Sequence, residues 1–217
     1  MSQQLMKSIV ALPILLLLPA VSFAQADWEF RKERQGIKIY TRDVAGSVMK
    51  ATRAETVFDA PVGNCISVLK DVDGFTTLFP SCMYAERISD LGDTVQTQYM
   101  RLKAPWPVAN RDYAFKYIFR TGDTKGAVKV ITQCVPNAYP PDKSFIRLDK
   151  GEGLWVFTPT QDGRTKLVYE FHGSPGGSVP EWLANSSVVD SPLSMLENFH
   201  RLVKEARHQG KRYGFMR

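Results

Sequence analysis

The chain has 217 residues, with 28 Lys and Arg against 22 Asp and Glu for a formal net charge of +6, and 44% of it is hydrophobic. That is one domain's worth of chain with enough apolar residues for a full core, which excludes wholesale disorder; three cysteines and ordinary Gly and Pro content exclude disulfide scaffolds and collagen-like repeats. The positive excess raises nucleic acid as a partner, but its placement argues against one: residues 25–200 are balanced, and the excess lies in Arg201, Lys204, Arg207, Lys211, Arg212 and Arg217 against Glu205.

At the start of the chain, Lys7 precedes an apolar run from Ile9 to Val21, followed by small residues at Ser22, Ala24 and Ala26. This pattern predicts a secretory signal peptide over residues 1–24 and a periplasmic or secreted mature protein. The run is too short for a membrane anchor and carries Pro13 and Pro19. Cys65, Cys82 and Cys134 are expected as small buried hydrophobes. A pairing of Cys82 with Cys134 is left open, and the absence of a C-x-x-C motif gives no metal site.

Residues 25–208 read as one domain without repeats or linkers, and residues 209–217 as a basic tail. A short helix is expected over Asp27 to Arg34, stopped at Gly36. Strands follow at Ile37 to Val44 and Val48 to Phe58 around a turn at Ala45-Gly46-Ser47. Next comes a helix opened by Asp59-Ala60-Pro61, with Val62, Ile66 and Leu69 on one face.

From Ser81 to Gly173 the runs become β-rich: Tyr84 to Ser89, Thr94 to Leu102, Tyr113 to Arg120, Ala127 to Val135, Phe145 to Lys150, Leu154 to Thr158 and Thr165 to Phe171. The simplest topology is an antiparallel meander, with one face buried as the alternation Phe115, Tyr117, Phe119 indicates. After Gly176-Gly177 a helix starts at Pro180-Glu181-Trp182. Trp182, Val189, Leu193, Leu196, Phe199 (or His200) and Val203 mark its inner stripe, and Pro192 is expected to kink or divide it. A curved sheet gripping one long helix encloses space suited to apolar ligands.

Catalytic motifs are not found. There is no G-x-S-x-G, H-E-x-x-H or G-x-x-x-x-G-K-[ST], and Gly151-Glu152-Gly153 lacks the third glycine and the following helix of a dinucleotide site.

Three segments carry a family likeness. Ala104-Pro105-Trp106-Pro107 followed by Arg111-Asp112-Tyr113 resembles a "PWP…RD-aromatic" signature. Ser174-Pro175-Gly176-Gly177-Ser178-Val179-Pro180-Glu181-Trp182-Leu183-Ala184-Asn185 resembles "DPGG-x-[IV]-P-x-W-L-x-N". Phe145-Ile146-Arg147 before Gly153-Leu154-Trp155 resembles "vR…g-x-W". In order and spacing these are similar to START domains, the lipid-binding family related to steroidogenic acute regulatory protein.

The resemblance implies an α+β helix-grip fold: a curved antiparallel sheet around a long C-terminal helix, over a hydrophobic tunnel for one lipid, with no metal, cofactor or catalytic residue. Sterol-binding members are similar in carrying a buried acid and arginine pair. The corresponding places here hold Tyr84 and Tyr117, which leaves phospholipid or another long-chain lipid as well suited as sterol.

The ligand-binding set expected on these grounds is Trp106, Arg111, Tyr84, Tyr117, Trp155, Tyr169, Trp182, Val189, Leu193 and Leu196. Trp106 is also open to membrane contact or core packing; Arg111 is expected to help hold a polar head group or the loop covering the cavity, with an ion pair to Asp112 or a turn-stabilising contact as the structural alternative. Gly176, Gly177 and Pro192 are expected to let the helix or its flanking loops open. Lys211, Arg212 and Phe215 are expected to touch an anionic membrane. The protein is read as a monomeric, non-enzymatic lipid carrier that makes transient membrane contact and binds no nucleic acid. The competing reading is a cyclase- or aromatase-like enzyme on the same fold with Tyr84, Tyr99, Tyr117, Tyr169 and His172 as its polar groups; a ligand-sensing module is a third.

Overall fold

The computed structural model describes residues 27–177 and 179–216. Among the described residues ten strands form one sheet: β1 Glu29–Arg34, β2 Ile37–Arg42, β3 Ala51–Phe58, β4 Cys82–Leu91, β5 Val95–Leu102, β6 Arg111–Thr121, β7 Val128–Cys134, β8 Ile146–Arg147, β9 Gly151–Pro159 and β10 Thr165–Gly173. Three α-helices among the described residues accompany them: α1 Val62–Lys70, α2 Phe75–Leu78 and α3 Glu181–Leu202.

The sheet order is β1-β2-β3-β10-β9-β7-β6-β5-β4, with β8 alongside β6 as the parallel exception. Two antiparallel meanders are therefore joined where β3 pairs with the last strand, Tyr169 opposite Ala54. This brings residues far apart in sequence onto one concave face. β6 presents Arg111, Tyr113, Phe115, Tyr117 and Phe119 at alternate positions, β10 presents Leu167, Tyr169 and Phe171, and β3 presents Thr52, Ala54, Thr56 and Phe58.

Helix α3 lies across this face. Its Phe199 is fully buried, stacked on Phe58 with ring centroids 4.7 Å apart and near Trp155 at 6.3 Å. Burying such a ring contributes roughly 1.5–3 kcal/mol, so the lower half of α3 is the clamp that closes the core. Pro192 sits inside α3 without dividing it, and the helix runs unbroken from Glu181 to Leu202.

Several expectations are corrected. Asp27 to Arg34 contains no helix: Glu29–Arg34 pairs with β2, and Gln35 and Gly36 make the hairpin turn with positive φ of 52° and 75°. Glu, Lys and Arg favour a helix locally, but the ladder to β2 overrides them. Asp59 does not cap α1. Pro61 occupies that position with no side-chain cap, and Asp59 instead lies 3.5 Å from Lys204.

Residues 209–216 are no free tail. Phe215 is buried against Phe119, with centroids 5.8 Å apart, and its carbonyl accepts a 2.8 Å hydrogen bond from the Thr121 hydroxyl. A Cβ on Gly63 would collide with the Lys211 carbonyl, so this glycine admits the strap against α1. Phe215 is therefore a core residue rather than a membrane anchor. Lys211 and Arg212 remain exposed.

Candidate functional site

Between the concave sheet and the first half of α3 lies a cavity of about 420 Å³. Its floor is aromatic: Phe115, Tyr117, Trp155, Tyr169 and Phe171. Tyr169 packs on Trp155 at 4.1 Å and lies 6.5 Å from Phe171. Gly151 makes room for this floor, because a Cβ there would lie 2.7 Å from the Phe115 ring. The roof is Leu183, Ala184, Ser187, Val188, Ser191, Pro192 and Met195, which fall at helical spacing along one face of α3. The rim is made by Lys103, Ala104, Pro105 and Val108 after β5 and by Ser174, Pro175 and Val179 before α3.

Arg111 ties these rim segments together. It is 7% exposed and donates from Nε to the Pro175 carbonyl at 3.2 Å, from Nη2 to the Gly176 carbonyl at 3.3 Å and from Nη1 to the Ala109 carbonyl. Gly176 and Gly177 both have positive φ, 61° and 59°, and a Cβ on Gly176 would meet Leu148 Cδ2 at 2.8 Å. Arg111 and the glycine turn thus form one structural unit at the mouth.

Asp112 points to the other face, as strand alternation requires, and makes no pair with Arg111. It is fully buried, takes two hydrogen bonds from Arg147 at 2.9 and 2.8 Å and accepts a third from the Tyr99 hydroxyl at 2.9 Å. Arg147 also donates to the carbonyls of Tyr139 and Pro140, at 2.9 and 3.0 Å, anchoring the loop outside β6. This convex-side cluster braces the strand that presents Arg111.

Of the expected ligand-binding residues, the cavity brings together Arg111, Tyr117, Trp155 and Tyr169, with Pro192 in its roof. The others lie elsewhere. Tyr84 is 40% exposed on the convex side, where its hydroxyl donates to Glu86 at 2.9 Å; the ladder irregularity between Cys82 and Tyr84 sets which face it takes. Trp106 is 92% exposed and projects from the rim between two prolines instead of lining the chamber. Leu193 and Leu196 are buried in the core beside the chamber and Val189 is half-buried there, because the lining face of α3 is rotated about one residue from the expected stripe. The side chain of Trp182 lies outside the described residues. Sequence patterning missed Phe171 and the rim residues Pro105 and Val108, although the proline-rich loop had marked their neighbourhood.

The cavity phenols are held neutral. Burial pushes the Tyr113, Tyr117 and Tyr169 hydroxyls well above the ordinary phenol range. Tyr113 donates to Met100 Sδ at 3.2 Å. The Trp155 Nε1 donor and the Thr52 hydroxyl are buried without a described partner. Tyr99 and His172 face away from the chamber, the first bonded to Asp112 and the second to Ser47 at 3.0 Å.

The cysteines are free. Burial pushes Cys65 up to about 12 and Cys82 up to about 11, and Cys134 donates to the Leu148 carbonyl at 3.2 Å.

A ten-stranded sheet gripping one helix over a chamber with an aromatic floor defines the helix-grip fold. The chain belongs to the START domain family, whose profile matches residues 16–211. A solved STAR-related lipid transfer protein fragment from Xanthomonas axonopodis is 34% identical, with a TM-score of 0.76 over 82% of this chain and 99% of that one. An uncharacterised Pseudomonas aeruginosa protein is 34% identical over 171 residues, 79% of this chain and 84% of its own length. Rat phosphatidylcholine transfer protein is 27% identical over 192 residues, 81% of this chain and 86% of its own length.

Proposed function

We propose that this protein binds one lipid in the cavity between the sheet and α3 and carries it, as a monomer, through the exported compartment. The observation that carries this reading is the aromatic-floored chamber of about 420 Å³, within the range of roughly 300–1,000 Å³ usual for small-molecule pockets. At about 0.8 kcal/mol per CH₂ kept from water, a chain of some 16 carbons gains roughly 10 kcal/mol gross, before ordering costs. The names of the Xanthomonas and rat relatives, both lipid transfer proteins, point the same way.

A carrier rather than an enzyme is supported by the groups facing the chamber. Acid–base chemistry near neutral pH wants a group that titrates there, and the described lining offers no His, Asp, Glu or Cys, while its phenols are pushed far up. Membrane contact is supported by Trp106, whose exposed ring follows the rim residue Pro105 in a loop that also carries exposed Lys103. The strap cations Lys211 and Arg212 are a second contact.

Native mass spectrometry and lipid extraction of protein purified from its exported compartment test the reading. One lipid per chain is expected. An empty chamber that instead turns over an aromatic polyketide would support the cyclase reading.

A further inference from the structure

The charges facing the chamber have one sign. Its described lining contains three ionisable cations, Lys103, Arg111 and Lys150, and no carboxylate. Arg111 is 7% exposed, and its three hydrogen bonds go to backbone carbonyls, so no described anion compensates its charge. A buried guanidinium is ordinarily paired with an acid, as Arg147 is with Asp112 on the opposite face of the same strand. Burial lowers the Arg111 pKa, the direction expected of a cation that lacks a counter-ion. Lys103 and Lys150 are exposed at the rim and make no ion pair with a described residue, although twelve other Lys and Arg side chains do.

The formal charges are also segregated. Deep in the chamber the walls are aromatic rings and α3 side chains, and the formal charge lies at the mouth around Arg111. Together these define a site that is uncharged and largely aromatic inside and cationic at its opening. Resting on the reading of the chamber as a lipid site, we propose that its ligand is an anionic amphiphile: the hydrocarbon chain lies over Tyr117, Trp155 and Tyr169, and a carboxylate or phosphate head meets Arg111, Lys103 and Lys150. The head supplies the negative charge that the described protein lacks there. A zwitterionic or uncharged head brings less compensation, and a quaternary ammonium head would be repelled.

Three probes of equal chain length separate the terms: palmitate, hexadecanol and hexadecyltrimethylammonium, each used below its micelle concentration to displace a fluorescent lipid from the purified protein. The expected result is at least tenfold tighter binding of palmitate than of hexadecanol, with the ammonium weakest. Hexadecyl phosphate is run beside palmitate to distinguish the two head groups. The double variant Lys103→Gln/Lys150→Gln, which changes exposed side chains, is expected to lose most of the palmitate preference, measured as the ratio of palmitate to hexadecanol affinity within the same variant, and added salt is expected to act in the same direction. Equal affinity for palmitate and hexadecanol, or a preference unchanged in the double variant, would overturn the charge assignment and leave the lipid reading standing. Failure of all four probes and of extracted membrane lipids to bind would overturn the lipid reading itself.

Discussion

Arg111 and Gly176 are joined by a hydrogen bond of 3.3 Å between a nearly buried guanidinium and the carbonyl of a residue with a left-handed backbone. The contact links β6, which walls the cavity, to the turn that launches α3, its roof. Opening the mouth therefore requires this bond, or the neighbouring one to Pro175, to break or move as a unit.

Gly176→Ala tests that link. A left-handed backbone costs a non-glycine residue about 1–2 kcal/mol, and here the new methyl would also press on Leu148. The control is Gly163→Ala, where φ is +80° but nothing lies within 4 Å of a Cβ. Both variants should lose stability in urea. Only Gly176→Ala should speed amide exchange in the first turn of α3 and raise the lipid dissociation rate. Equal behaviour in these two readouts would remove the turn from gating.

On the convex side, Arg147→Met should be the more damaging change. It leaves the Asp112 carboxylate, only 1% exposed, without its ion-pair partner, a loss of about 3–5 kcal/mol in urea unfolding. The cluster does not touch the chamber, so lipid affinity of the protein that remains folded should change less than threefold. A large fall in affinity at full folding would mean that the convex cluster positions Arg111 more tightly than its contacts indicate.

Acid should loosen the α3 clamp. His200 shares a 2.9 Å hydrogen bond with Thr56, and buried His208 shares one of 2.9 Å with Ser67. Both imidazoles are lowered below 6.5, in each case mainly by burial. Lys204 adds to the effect on His200. Around His208, Arg207 and Lys211 also lower the pKa, while Asp71 and Glu205 raise it. Because the unfolded chain binds these protons more readily, the stability contributed is full above about 6.5 and is lost as pH falls through the lowered folded values. Unfolding midpoints should drop between pH 7.5 and 5.5, with the drop reduced in His200→Gln/His208→Gln. A variant with the wild-type slope would show that other groups set it.

The strand and helix alternations made the architecture legible. Phe115-Tyr117-Phe119 announced a one-sided sheet, and the glycine-rich turn before Trp182 announced the closing helix. What failed depended on partners distant in sequence. Glu29–Arg34 is a strand because β2 pairs with it, which a charge-rich hexapeptide does not reveal. Tyr84 faces outward because a ladder irregularity intervenes, and Phe215 is buried because Phe119 lies beneath it. In the site, Arg111, Tyr117, Trp155 and Tyr169 stood on strands with clear alternation. On α3, a rotation of about one residue exchanged Val189, Leu193 and Leu196 for Val188, Pro192 and Met195 at the cavity wall.

Membrane association should respond to the rim loop. Trp106→Ser removes an exposed ring from the cavity mouth and should weaken binding to vesicles containing anionic lipid several-fold without altering the unfolding midpoint. Lys211→Gln/Arg212→Gln is the matching test of the strap, preferable to deleting residues 209–217, which would also remove buried Phe215. No loss in either variant would exclude both contacts.

The most direct measurement is lipid stoichiometry in a variant whose chamber is filled from within. Val188 is 6% exposed and lines the roof, so Val188→Trp projects an indole into the space the ligand would occupy. Labelled lipid taken up from vesicles should reach one molecule per wild-type chain and fall at least tenfold in Val188→Trp, with the far-ultraviolet circular dichroism of both proteins the same. Equal uptake by the two folded proteins would place the lipid outside this cavity and contradict the account.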